Sequence, residues 1–334
     1  MSKTKYIITL LSLSLLVACS DKSTEPETSN KDRFSFLADL PTELPQINYP
    51  EDNNPTEDRI LLGKLLFEDV RLSRTDEISC ASCHKSEFAF ADNKPTTKGV
   101  EGRDGTRNSI SLMNVAHRTS LMREGGVPTL EIQALVPFQE HNEFDLNIVL
   151  AAEKLSTDTT YSRLSQSAYG REFDPYVITR AISAFERTLI GGNSKFDKFL
   201  NDEAQLTTDE ELGMQLFYSE SLACSSCHSG ILFSSQDFAN NGLYKEYSDM
   251  GKQRFTGLDS DNGVFVIPSL RNIAKTAPYM HDGSVATIEE IIDHYANGGS
   301  THRNKDEKIK GFSLTQKEKD AIIAFLSTLT ESVD

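Results

Sequence analysis

Two five-residue stretches carry residue types suited to redox chemistry: Cys80-Ala-Ser-Cys-His84 and Cys224-Ser-Ser-Cys-His228. Two thiols three residues apart, with an imidazole directly after, form the pattern for covalent attachment of a c-type haem. On one helical turn both sulfurs reach the two vinyl groups on one porphyrin edge. The following histidine then supplies the proximal iron ligand. Structural zinc is the alternative for two Cys-x-x-Cys pairs, but it needs no histidine after each pair. The repeated full motif predicts two covalently bound haem c groups, held by Cys80, Cys83 and His84 and by Cys224, Cys227 and His228. The chain has five cysteines. The fifth, Cys19, lies near the N-terminus, so no disulfide framework follows.

The elements that must position these motifs read as helices. Thr56 is an N-cap for a helix to Phe67, with Ile60, Leu61, Leu65 and Leu66 on an apolar face. Leu62-Gly63-x-x-Leu66-Phe67 precedes the first motif, and Leu212-Gly213-x-x-Leu216-Phe217 precedes the second. This internal repeat makes a duplicated mono-haem domain the simplest architecture. Helical patterns follow over 146–156, 160–168 and 175–190, the last ending at Gly191-Gly192. Residues 193–209 read as a linker and 229–265 as loops, with helices resuming at Thr287–Tyr295 and Thr315–Thr328. The fold class is mainly α, with two cytochrome c-like haem domains in tandem over 57–192 and 193–334.

The N-terminus reads as an export signal over residues 1–18. Lys3 and Lys5 precede an apolar run from Tyr6 to Ala18, too short to span a bilayer comfortably. Leu16-Val17-Ala18-Cys19 resembles a bacterial lipobox, which makes Cys19 the lipidated first residue of a periplasm-facing, outer-membrane lipoprotein. An ordinary cleaved signal is the alternative. Residues 19–56 read as a polar tether over 20–32 and then a proline-rich, extended lead-in. The net charge of −16 argues against nucleic acid. It suits docking to a basic partner such as a small cytochrome, or serves solubility alone.

The two motifs, with Leu62-Gly-Lys-Leu-Leu-Phe67 before the first and Ser269-Leu-Arg-Asn272 and Ala277-Pro-Tyr-Met-His-Asp-Gly-Ser284 after the second, resemble the bacterial di-haem cytochrome c peroxidase family. The resemblance runs from about Leu61 to Tyr295. It implies reduction of hydrogen peroxide at the N-terminal haem, with electrons passed through the C-terminal haem from a small cytochrome or other periplasmic donor. The family's distal histidine position falls on Val100, which cannot ligate iron, as in the MauG-type branch. His117 and His141 are the substitute candidates. The family's distal glutamine and glutamate fall on Gln133 and Glu143, with Glu140 as the fallback.

The resemblance places the sixth ligand of the second haem at Tyr295, where peroxidases carry methionine and MauG-type proteins tyrosine. Met280 and Met250 are the alternatives. It also implies one calcium ion held by the Asn108 side chain and the carbonyls of Thr276 and Pro278. The family's inter-haem tryptophan has no counterpart, since the chain contains no Trp, and Arg123 stands in its place. Two further outcomes stay open: MauG-type oxidation of residues in a partner protein, favoured by Val100 and Tyr295, and a non-enzymatic di-haem electron carrier.

Overall fold

The computed structural model describes residues 29–331, so the expectations for residues 1–18 and for Cys19 lie outside the described residues. The chain is mainly helical. In order, the helices are α1 (Asn30–Arg33), α2 (Glu57–Glu68), α3 (Cys80–Cys83), α4 (Leu130–Gln133), α5 (Val136–Gln139), α6 (Ile148–Ser156), α7 (Thr159–Tyr169), α8 (Pro175–Glu186), α9 (Lys195–Leu200), α10 (Thr208–Phe217), α11 (Gln253–Thr256), α12 (Ile288–Ala296) and α13 (Gln316–Ser327). Between them run long loops with single 3₁₀ turns. Strand structure among the described residues amounts to a two-residue antiparallel pair, Phe238–Ala239 with Phe265–Val266.

Local chemistry sets most helix starts. The Thr56 hydroxyl accepts from Arg59 N, and Asp174 caps α8 ahead of Pro175 at its first turn. Ser194/Asp197, Thr207/Glu210, Thr287/Glu290 and Thr315/Glu318 form reciprocal capping boxes at α9, α10, α12 and α13. Helix α8 ends at Glu186, short of the expected residue 190. The reason is tertiary. Asn114 N donates to Leu189 O (2.7 Å) and Gly191 N donates to Asn114 Oδ1 (2.9 Å), drawing the chain out of the helix to dock on that loop.

The LGxxLF repeat has a packing cause. A Cβ added to Gly63 in α2 would lie 1.9 Å from Ala181 O in α8, and one added to Gly213 in α10 would lie 1.9 Å from Ala321 O in α13. Each glycine therefore permits the same close helix crossing just ahead of a haem motif. Around the first crossing Leu62, Leu66, Phe67, Val177, Ile178 and Ala181 form one buried cluster. Around the second, Met214, Phe217, Phe196, Phe199, Ile322 and Phe325 form another. Within it the Phe325 ring lies 5.5 Å from Phe196 and 5.4 Å from Phe217.

Two expectations need correction. Residues 193–209 are not a plain linker: α9 buries Phe196 and Phe199 completely and carries Asp197, whose carboxylate meets Arg271 at 2.6 and 2.9 Å. Burial opposes ionisation of Asp197, but the paired guanidinium outweighs it and holds the carboxyl below its usual range. Residues 29–32 are not free tether either. Asn30 is buried and donates to Phe199 O (3.0 Å), while Leu37 and Leu40 join the second cluster. The chain then crosses to the first half, where buried Asn53 donates to Glu131 Oε1 and Arg180 O, both at 2.9 Å. The lead-in is a strap across both halves.

Residues 107–123 join the halves directly. Arg107 grips Asp249 (2.6 and 2.8 Å) and pairs with Glu124. Asn108 N donates to His281 O (2.9 Å), and Val266 N donates to Arg123 O (2.7 Å).

Candidate active site

The two Cys-x-x-Cys-His motifs share one local design. Ser79 and Ser82 cap α3, and the chain leaves it at His84. His84 Nδ1 lies 2.9 Å from Phe90 O. A carbonyl can only accept, so Nδ1 carries the proton and the Nε2 lone pair is left for a metal. His228 repeats this, with Nδ1 at 3.2 Å from Phe233 O and 3.1 Å from Pro268 O. Burial keeps both imidazoles neutral by lowering their pKa values, that of His228 to about 4. Burial also raises the thiols, Cys83 to about 12 and Cys224 to about 11. The buried thiols of Cys80, Cys83 and Cys224 are therefore protonated at neutral pH and not poised as free nucleophiles. No cluster of three or more His, Cys, Asp or Glu side chains suited to a metal ion occurs among the described residues.

A cavity of about 460 Å³ opens beside the second motif, bordered by Cys224, Cys227, His228, Met280 and Tyr295. Arg118 and Arg123 also line it. Burial draws their pKa values down, to about 10 for Arg118 and, with the neighbouring arginine charges adding, to about 9 for Arg123. Arg118 gives one hydrogen bond to Ser111 O (3.0 Å), and neither guanidinium has a carboxylate partner among the described residues. Haem carries two carboxylates, the anions such a pair needs. Two thiols, a neutral imidazole with Nε2 free and two guanidiniums that hydrogen-bond only neutral oxygens fit the group.

On the first motif's side, Val100 is fully buried in a 3₁₀ turn, and its N–H donates to Glu143 O over 3.1 Å. The Glu143 carboxyl is pushed up to about 7 by burial and, secondarily, by the charge of Glu140. Its own charge acts on both Cys80 and Cys83, which puts it within electrostatic reach of the motif. Gln133 ends α4 with its Oε1 buried and unpartnered. The chain from α5 to Glu143 is a continuous turn, in which Glu140 N donates to Val136 O (3.1 Å) and Phe144 N to Pro137 O (3.0 Å).

The alternative residues lie as follows. Glu140 is turned to solvent, 3.9 Å from Arg254. The His141 side chain is 74% exposed beside Asp145. Burial lowers the pKa of His117, which also feels the charge of Arg271 in the second half. Sequence reasoning missed Glu186: it is 4% exposed, has Oε2 unpartnered, is raised to about 8 by burial, and acts on Cys80. Only its place on the buried side of α8, beside Ala184 and Ile182, could have signalled it.

Tyr295 and Met280 both border the cavity with His228, whereas Met250 is 47% exposed and does not. Burial raises the Tyr295 phenol to about 12. The Met280 sulfur accepts from Asn241 Nδ2 at 3.2 Å.

Residues 57–205 match the family model for di-haem cytochrome c peroxidase. The methylamine utilization protein MauG of Methylorubrum extorquens is 31% identical over 317 residues, covering 93% of this chain and 87% of that protein. The chain belongs to the di-haem cytochrome c peroxidase family. Cytochrome c551 peroxidase of Nitrosomonas europaea is 33% identical over 275 residues, covering 80% of this chain and 79% of that one. Among solved structures, a MauG-like protein associated with microbial copper homeostasis superposes with a TM-score of 0.84 at 34% identity, covering 88% of this chain and 95% of that chain. The diheme peroxidase BthA from Burkholderia thailandensis shares the fold, with a TM-score of 0.73 at 20% identity over 88% and 92% of the two chains. Membership makes this chain a peroxidase-type oxidoreductase of the MauG-like group, with two c-type haems.

The di-haem peroxidase resemblance also implied calcium at Asn108, Thr276 and Pro278, and here the residues do not fit. All three border the cavity. However, Asn108 Oδ1 accepts from Arg123 at 2.7 Å, so the one side-chain oxygen of the set already faces a cation. No helix among the described residues is long and apolar enough to cross a membrane.

Proposed function

We propose that this protein reduces hydrogen peroxide to water on the Val100–Glu143 side of the first motif, with electrons delivered one at a time from a small basic redox protein through the second. Cys80, Cys83 and His84 would hold one haem, and Cys224, Cys227 and His228 the other, in tandem domains of about 57–192 and 193–334. Haem supplies iron that exchanges electrons with peroxide and with the donor. The chain's residues supply the rest. Val100 offers no ligating atom, which leaves room for substrate. Gln133 Oε1, buried without a partner, accepts a hydrogen bond from the bound peroxide.

Glu143 carries the reading. A carboxyl held near 7 by burial is about half ionised at neutral pH, so it can take a proton from one peroxide oxygen and return it to the other. Two electrons and two protons then convert one peroxide to two waters. Tyr295 would be the second site's closing ligand, with Met280 as its competitor, since both border the cavity with His228, and the net negative charge supports docking of a basic donor. Cys19 would anchor the protein by lipid on the periplasmic side of the outer membrane. Steady-state peroxide consumption with a reduced small cytochrome, in wild type and Glu143→Gln, tests the reading. Equal rates in the two would remove Glu143 from it.

A second reading, oxidation of residues in a partner protein, is favoured by Tyr295 on the cavity wall together with the 31% identity to MauG. Arg123 in place of an oxidisable indole stands against it, because a guanidinium cannot relay an electron hole.

A further inference from the structure

We propose that the Arg123 guanidinium is a built-in cation at the junction of the two halves, replacing a calcium ion at Asn108 and making the protein calcium-independent. This goes beyond the peroxidase reading and does not depend on it.

Asn108 is only 6% exposed, and each of its polar atoms is committed. Its backbone N–H donates to His281 O (2.9 Å), and its Nδ2 donates to Lys94 O (3.1 Å). That second bond fixes the amide with Oδ1 on the opposite side, where Arg123 NH2 meets it at 2.7 Å. Arg123 Nε donates to the Asn108 backbone carbonyl at 2.9 Å. One guanidinium thus takes both oxygens of Asn108 with two parallel N–H bonds, a fork that lysine or an indole could not supply.

The backbone aims the side chain there. Met122 takes a left-handed φ of +68°, Leu121 pairs with Val127, and Arg123 O accepts from Val266 N (2.7 Å). Calcium coordination at Oδ1 would require a distance of about 2.4 Å. It would set a divalent ion against this guanidinium inside the fold, where screening is weak. The nearby carboxylates are already engaged. Glu124 and Asp249 are paired with Arg107, and Asp282 accepts from Tyr244 (2.5 Å) and from Ser284 N (3.1 Å). The Thr276 and Pro278 carbonyls would be left with one neutral oxygen short of a hard-cation site.

The test uses the full-length holoprotein, with calcium content measured by elemental analysis after gel filtration and thermal unfolding followed in calcium chloride and in EGTA. Wild type is expected to carry no stoichiometric calcium and to unfold at the same temperature in both. Arg123→Gln removes the charge and keeps a polar side chain. This variant is expected to take up calcium, with its Tm rising by about 4 °C or more between EGTA and saturating calcium. Arg123→Lys keeps the charge and is expected to stay calcium-insensitive, which also covers the case in which Arg123→Gln does not accumulate. One calcium per wild-type chain, removable by EGTA with a fall in Tm, would overturn the proposal. So would calcium-insensitivity of a folded Arg123→Gln variant, or a calcium response in Arg123→Lys.

Discussion

Val100 and Glu143 are joined through their backbones, the N–H of Val100 donating to the carbonyl of Glu143 over 3.1 Å. The residue at the family's distal position is therefore held against the acid proposed to move protons there. Replacing Glu143 with Gln keeps the shape and removes the proton exchange. Peroxide turnover in Glu143→Gln is expected to fall by about 10²–10⁴-fold with haem content unchanged. In wild type the apparent second-order rate should rise with pH through about 7, where Glu143 ionises to act as base, and the variant should lose that limb. A pH–rate profile of the two proteins checks both.

Tyr295 and Met280 border one cavity with His228, and substitution separates them. Tyr295→Phe is expected to open the second site to added cyanide or imidazole, while Met280→Leu leaves it closed. Ligand titrations followed in the visible spectrum decide. An unaltered low-spin signal in Tyr295→Phe, with opening in Met280→Leu, would assign the ligand to Met280.

The paired glycines make a prediction about stability. A methyl on Gly63 or Gly213 meets a backbone carbonyl at 1.9 Å in each case, and neither helix can yield without disturbing its buried cluster. Gly63→Ala and Gly213→Ala should each destabilise the holoprotein by about 2–3 kcal/mol, despite the better helix propensity of alanine. Denaturant unfolding of the two variants measures this. A loss below about 0.5 kcal/mol would mean that the crossings are looser than drawn.

Glu186 links stability to pH. Burial raises its carboxyl from the ordinary 4.5 to about 8. The unfolded chain thus releases this proton at lower pH than the folded chain does. Stability is full below about 4.5, is lost progressively as pH rises toward 8, and levels off above it. The loss attributable to this group is on the order of 5 kcal/mol. Glu186→Gln should flatten the fall in Tm between pH 5 and 8, and a variant with the wild-type slope would exclude Glu186 as its source.

Features with local causes were legible in the sequence. Thr56, Thr207, Thr287 and Thr315 announce their helices because a hydroxyl cap and an acid three residues on need no tertiary partner. Both haem motifs and the LGxxLF repeat could be read for the same reason. What the glycine in that repeat does was not legible, because Ala181 and Ala321 approach it only in the folded chain. Residues 193–209 read as a linker because their few apolar residues stand among charges, yet the second cluster buries Phe196, Phe199, Leu200 and Leu206, and it also takes Leu37 and Leu40 from the segment that follows the tether. Asn108 resembled a calcium ligand because its type matched. The direction of the Arg123 side chain, set by contacts with Val266 and Asn108, was not legible, and the proposal of a built-in cation rests on it.

The central claim is that the two sites are unequal, the first open to peroxide and the second closed. An electron paramagnetic resonance spectrum of the resting ferric holoprotein, recorded before and after one equivalent of hydrogen peroxide, tests it most directly. One high-spin and one low-spin ferric signal are expected, with the high-spin signal lost on adding peroxide. Two low-spin signals that peroxide leaves unchanged would contradict it.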